Sequence, residues 1–177
     1  MNITVYLGSS FGNDPAYREQ AVKLGRWIAE NGHTLVYGAG SVGLMGVLAD
    51  SVLAADGKVI GVIPQFMVDQ GRGHNGLSQL YVVETMQERK AIMLDLGDCY
   101  IAFPGGLGTL EEISEAMTRE KLGISPRKSV YYNCFGYYDD LFRMFDKMCE
   151  EGFLPAEYMS CVRQAHTLEE LGAIINE

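Results

Sequence analysis

The sequence predicts one α/β domain over residues 1–177, a Rossmann-like, doubly wound parallel sheet. Three observations predict it. Short apolar, β-branched runs alternate with segments whose apolar residues recur every three or four positions, the periods of buried strands and amphipathic helices. Several runs end in a turn of small residues that feeds a helix, at Gly8, Gly38 and Pro104–Gly105, and that order favours parallel strands joined by right-handed crossovers. Finally, 177 residues suffice for one sizeable core, and no repeat, linker or low-complexity stretch divides them.

The elements follow in order. Ile3 to Leu7 is β-prone and ends in the small-residue loop Gly8-Ser9-Ser10-Phe11-Gly12. Asp14-Pro15 supplies an N-cap with proline at the first helical position, and Tyr17, Ala21, Leu24 and Ile28 keep helical spacing until Asn31-Gly32. Thr34 to Tyr37 is the second strand. Val59 to Ile63 is the third, stopped by Pro64. Residues 65–79 show no period, are glycine-rich, and read as the longest loop, of a kind that often borders a ligand. Leu80 to Val83 is the fourth strand, and Thr85-x-x-Glu88 is a capping box opening a helix that runs to about Gly97.

Cys99 to Phe103 is the fifth strand and Lys128 to Tyr132 the sixth. Tyr138 to Glu151 is amphipathic through Leu141, Phe142, Phe145 and Met148. A further cap, Thr167-x-x-Glu170, opens a last short helix. The turns at Gly8, Gly38, Glu84 and Pro104 all lie at strand C-termini, where ligands of such sheets bind. One cleft is expected to gather all four.

Composition excludes several classes. A formal charge of −9 opposes a nucleic-acid backbone or an anionic membrane surface as partner. A small anion must therefore be held by local dipoles and a few cations. No apolar run reaches membrane-spanning length and the N-terminus lacks a leader pattern, so the expected compartment is the cytoplasm. Cys99, Cys134, Cys149 and Cys161 have no C-x-x-C spacing and read as reduced thiols, while His33, His74 and His166 are scattered. We expect no metal and no cofactor.

Gly38 to Gly43 carries G-x-G-x-x-G between a strand and a helix, so a dinucleotide site has to be weighed. That fingerprint belongs on the first βα turn and needs an acidic residue at the end of the next strand. Here the next strand ends in Pro64. A mononucleotide or packing role for Gly40 and Gly43 is the better reading.

The stretch that organises the chain is Phe103 to Glu112, F-P-G-G-L-G-T-L-E-E. Leu110, Ile113, Ala116 and Met117 begin a helix after it, so glycine backbone stands at a helix N-terminus. Outward N–H groups with a partial positive charge make that an anion site, and phosphate is the usual guest. Thr109 and Glu112 have the spacing of a capping box, which competes with a functional role for the same two residues. Arg89 and Lys90, near the first turn of their helix, are either solvated charges or ligands at the same rim.

P-G-G-x-G-T-x-x-E at Pro104–Glu112, with Met86-Gln87-Glu88-Arg89-Lys90 as M-x-x-R-K, resembles the paired signature of the LONELY GUY family. These are cytokinin riboside 5'-monophosphate phosphoribohydrolases, a group often mislabelled as lysine decarboxylases. The likeness runs from Gly8 to Phe153. It implies hydrolysis of the N-glycosidic bond of a nucleoside 5'-monophosphate, a cytokinin riboside monophosphate or adenosine monophosphate, to free base and ribose 5-phosphate. Arg89 and Glu112 would be catalytic. Phosphate and substrate contacts would come from Gly105, Gly106, Leu107, Gly108, Thr109 and Leu110. Others would be Gly8, Ser9, Gly40, Gly43, Met86, Lys90, Glu111 and Thr118.

The resemblance also implies a two-fold homodimer with a shared active site, for which Met86, Met93, Met117 and Leu122 offer apolar contacts unless they are core. The chain departs from the family where Gln87 replaces a histidine, Ala39 a glycine, Arg119 a tryptophan and Gly71 an acidic residue. A nucleotide-binding sensor or carrier is the alternative; it would need neither Arg89 nor Glu112. A decarboxylase would need a pyridoxal-binding lysine with partners for the ring nitrogen and phosphate, and nothing marks one.

Overall fold

The computed structural model describes residues 1–177. The strands are β1 (Asn2–Tyr6), β2 (Thr34–Tyr37), β3 (Lys58–Pro64), β4 (Gln79–Val83), β5 (Cys99–Ala102), β6 (Ser129–Tyr132) and β7 (Arg163–Ala165). They form one parallel sheet in the order β4-β3-β2-β1-β5-β6-β7. The helices are α1 (Ala16–Glu30), α2 (Gly43–Ala54), α3 (Gln65–Asp69), α4 (Met86–Leu96), α5 (Leu107–Lys121), α6 (Asp139–Glu150) and α7 (Leu168–Asn176).

Strand alternation splits the core in two. Ile3, Val5, Leu35 and Tyr37 face one layer with Leu24, Ile28, Leu48 and Val52 of α1 and α2. Tyr6, Val36 and Val62 face the other with Met93 of α4 and Ile113 and Ala116 of α5. Winding reverses between β1 and β5, which pair from Ile3 opposite Cys99 to Tyr6 opposite Ala102. Past that pair Gly8 N–H donates to the Pro104 carbonyl at 3.1 Å, so the two turns that leave on opposite faces are tied together.

Most expected elements are present with ends moved by a residue or two. Asp14 Oδ1 accepts from the Ala16 N–H at 2.8 Å with Pro15 at φ −60, the expected start of α1. Thr85 and Glu88 make the full capping box. Thr167 accepts from the Glu170 N–H, whereas the Glu170 carboxylate takes the N–H of His166.

One expectation is corrected. Residues 65–79 are not one loop: α3 occupies the start, too short for a helical period to register, and Gly73 pairs with Gly40. The edge strand β7 is only Arg-Gln-Ala and carries no strand pattern. All four cysteines are free, and burial pushes the Cys99 and Cys134 thiols up to about 12 and about 11. No helix is long and apolar enough to cross a membrane.

Candidate active site

The site starts at the turn after β5. α5 begins at Leu107, with Gly106 in extended backbone at its N-cap and no side chain capping it. Thr109 and Glu112 therefore lie inside the helix, and the capping-box reading fails. Leu110 N–H is the first to bond back, to the Gly106 carbonyl at 3.2 Å. The N–H groups of Leu107, Gly108 and Thr109 find no protein acceptor, so this helix end presents an open anion site. Gly105 has to be glycine, since a Cβ there would stand 2.1 Å from Thr109 Oγ1 and 2.8 Å from the Gly8 nitrogen.

Two tyrosines beyond β6, which no sequence pattern marked, hold the turn from outside. Tyr138 donates its hydroxyl to the Phe103 carbonyl at 2.8 Å and Tyr137 donates to the Gly105 carbonyl at 2.5 Å. Buried Asn133 holds Tyr138: its side-chain oxygen Oδ1 accepts from the Tyr138 N–H at 2.7 Å, and its amide NH2 donates to Asp139 and Gln164. Two side-chain hydrogen bonds thus hold the turn that leads into α5.

α4 brings Arg89 to the same place. The side chain runs inward, not into solvent, with Nε donating to the Val62 carbonyl at 3.2 Å and Nη1 to Glu112 Oε1 at 2.6 Å. Both side chains are nearly buried, 9% and 12% exposed. Burial raises the Glu112 carboxyl above the ordinary glutamate range, and the guanidinium only partly offsets that shift. Tyr6 lies close enough for Glu112 to raise its phenol further, after burial. A buried carboxylate paired with a guanidinium beside an anion site is equipped to take a proton or to stabilise developing positive charge.

Lys90 takes the next position on α4. Its ammonium bonds the Glu111 carboxylate and lies 3.1 Å from Glu115, and these partners raise its pKa.

These pieces wall a cleft of about 600 Å³. Gly8 and Ser9 come from β1, Gly38 and Gly40 from β2, Met86 and Arg89 from α4. Gly106 to Thr109, Glu111 and Glu112 close it from α5. The turns after β1 and β2 meet there with the residues that follow the turns at Glu84 and Pro104, Met86 and Gly106. Sequence reasoning had Gly38 only as a strand-end turn and missed Arg72 and Met67 in its walls; Arg72 was legible only as a cation flanked by glycines on a rim loop.

Several expected contacts lie elsewhere. Gly43, at φ +65, faces the Ser9 carbonyl, and the Leu44 N–H at the start of α2 donates to the Ser10 carbonyl at 3.4 Å. That helix end is filled by protein, which removes the seat a dinucleotide pyrophosphate would need. Gly105 lines a smaller hollow of about 250 Å³ on the other side of the turn. Leu110 packs on the core beside Ile113.

Thr118 is exposed and donates to the Ser114 carbonyl at 2.7 Å, about three turns down α5. Arg119 lies 3.9 Å from Asp95, outside the cleft walls. Gly71 is exposed at φ +68, and Asp69 accepts from Gln65. Met93 is 1% exposed and belongs to the core, so it is unavailable to a partner.

Comparison with known proteins agrees with this geometry. The profile of a family described as "Possible lysine decarboxylase" matches residues 45–175. A cytokinin riboside 5'-monophosphate phosphoribohydrolase of Rhodococcoides fascians is 42% identical over 86% of this chain and 78% of its own length. One from Arabidopsis thaliana is 38% identical over 96% of this chain and 79% of its own. Among solved structures, the molybdenum cofactor binding protein of Rippkaea orientalis superposes with a TM-score of 0.75 at 22% identity, covering 99% of this chain and 94% of that one. At that identity the likeness speaks for the fold alone.

Proposed function

The chain belongs to the LONELY GUY family of cytokinin riboside 5'-monophosphate phosphoribohydrolases, and from that premise we propose that it cleaves the N-glycosidic bond of an adenosine 5'-monophosphate, plain or N6-substituted. The observation that carries this reading is the Arg89–Glu112 pair, 2.6 Å apart and buried in the wall of a cleft whose other end is the open N-terminus of α5.

The substrate phosphate would sit on the N–H groups of Leu107, Gly108 and Thr109, which places the ribose within reach of Glu112. As the C–N bond breaks, positive charge builds on the sugar, and a nearby carboxylate stabilises it. Water adds to the anomeric carbon as Glu112 takes its proton, the C–N bond breaks with its electron pair passing to the base, and Glu112 then returns that proton to the base, leaving free base and ribose 5-phosphate. The raised Glu112 pKa suits a base that must both accept and release a proton. Arg89 keeps the carboxylate in place.

Decarboxylation, the activity in the family profile's description, is poorly served. A Schiff-base lysine needs a lowered pKa and a free amine. Lys90, the lysine at the rim, is held by two carboxylates that raise it.

The second copy that the family resemblance implies would dock on α4 and α5. Met86 is 37% and Leu122 64% exposed there, with Met117 half-buried between. Thr118 and Arg119 reach a substrate only in an assembly that brings α5 of one copy to the cleft of another.

The direct test is incubation with adenosine monophosphate and isopentenyladenosine monophosphate, with free base and ribose 5-phosphate quantified. Release of both products in equal amounts supports the reading. Binding without release of base would make the chain a carrier.

A further inference from the structure

We propose that Arg72 recognises the substrate's phosphate and that His74, paired with Asp50, is the positioning residue that holds Arg72 at the cleft. The inference rests on the reading of the cleft as a nucleoside monophosphate site.

Charge accounting motivates it. A phosphate monoester carries about −1.5 to −2 near neutral pH, whereas a helix end offers about +0.5. Arg89 is committed to Glu112 and Lys90 to Glu111 and Glu115. The whole chain, at −9, repels the ligand. Arg72 is the cation in the cleft wall that pairs with no carboxylate. A site for a dianion that lacked a free cation would be short of about one full charge, and Arg72 supplies it.

Its backbone is unusually well tied for a rim loop. Arg72 N–H donates to the Met67 carbonyl at 3.1 Å, and its carbonyl accepts from both the N–H and the hydroxyl of Ser41, at 3.0 and 3.1 Å. The next residue, Gly73, bridges Gly40. His74 N–H then donates to the carbonyl of Ala39, which stands in the left-handed region at φ +58. A buried alanine in that conformation costs energy, so the two-turn ladder holds a strained residue in place.

The His74 ring closes the arrangement. Gly76 N–H donates to Nδ1 at 3.0 Å, so Nδ1 is the unprotonated nitrogen. Nε2 keeps the proton and donates to Asp50 Oδ1 at 2.9 Å, anchoring the loop to α2.

The test reads binding apart from turnover. Calorimetry would follow adenosine monophosphate, ribose 5-phosphate and adenosine with wild type, Arg72→Gln, Arg72→Lys, His74→Gln and the Arg72→Gln/His74→Gln double variant. Thermal melts of each preparation would confirm folding. Arg72→Gln should weaken both phosphorylated ligands by about 10- to 100-fold, the worth of a charge-assisted bond, and leave adenosine unchanged. Arg72→Lys should recover part of the loss. In kinetics KM should rise with kcat nearly constant. His74→Gln should shift KM in the same direction, and the double variant should be no worse than Arg72→Gln alone, because His74 acts through Arg72.

Unchanged affinity for the two phosphates would overturn the assignment, and so would an equal loss for adenosine, which would make Arg72 a contact to the base. Additive effects in the double variant would remove His74 as its positioner. Wild type that binds adenosine monophosphate without releasing base sinks the hydrolase reading and leaves Arg72 where it is; wild type that binds neither phosphate overturns Arg72.

Discussion

The Arg89 guanidinium occupies the space that a side chain on Gly38 would need: a Cβ at that position would stand 1.8 Å from Nη2 and 2.9 Å from Cζ. The glycine that follows β2 is therefore a condition of the Arg89–Glu112 pair. It lets a cation from α4 pass under the β2 turn and reach Glu112 on α5.

Gly38→Ala should expel the guanidinium and break its bond to Glu112 while leaving the sheet intact. Turnover is expected to fall by about 10²-fold or more, in line with losses from small misplacements of a catalytic group. Circular dichroism should stay unchanged. An active alanine variant would show that Arg89 can work from another position.

Glu112→Gln keeps the shape and loses the proton acceptor. Activity should drop by about 10²- to 10⁴-fold, measured as base release at saturating adenosine monophosphate. The wild-type acid limb of kcat/KM should lie above the ordinary glutamate range, because burial raises this carboxyl. Stability has a matching sign. A carboxyl raised in the folded state contributes most below its unfolded pKa, and that contribution is lost as pH rises through the folded value. Wild type should thus lose ground against Glu112→Gln between about pH 4 and the folded pKa, and hold level above it. Urea titrations of both proteins across that range decide the matter.

Tyr138→Phe removes one hydroxyl from a buried pair and leaves the Phe103 carbonyl without its donor. The cost should be about 1–3 kcal/mol, several degrees in Tm for a chain of this length. If the turn's rigidity serves phosphate binding, KM rises as well. A variant that melts lower with an unchanged KM would limit Tyr138 to a structural role.

Leu122→Glu puts a charge on the exposed residue that ends α5. Charge burial at an apolar face is costly, so a dimer through α4 and α5 should dissociate, with sedimentation shifting from two copies to one. The same assembly in both proteins would place the interface elsewhere.

The sequence by itself determined the fold class, six of the seven strands and the turn at Phe103–Glu112. Those features are local: strand alternation, helical spacing and glycine at a helix start depend on neighbours a few residues apart. It could not decide whether Glu112 caps α5 or lies inside it, nor whether the Arg89 charge is solvated or buried. Those choices depend on residues far apart in the chain that share no pattern. Val62, Arg89, Gly38 and Glu112 meet only because β3, α4, β2 and α5 end at one edge of the sheet. The tertiary structure also moved Gly43, Leu110 and Met93 into packing, and brought Arg72 and Tyr138 to the site. Burial and long-range hydrogen bonds made those assignments, because the desolvation that shifts a carboxyl or excludes a solvated arginine exists only once the layers close.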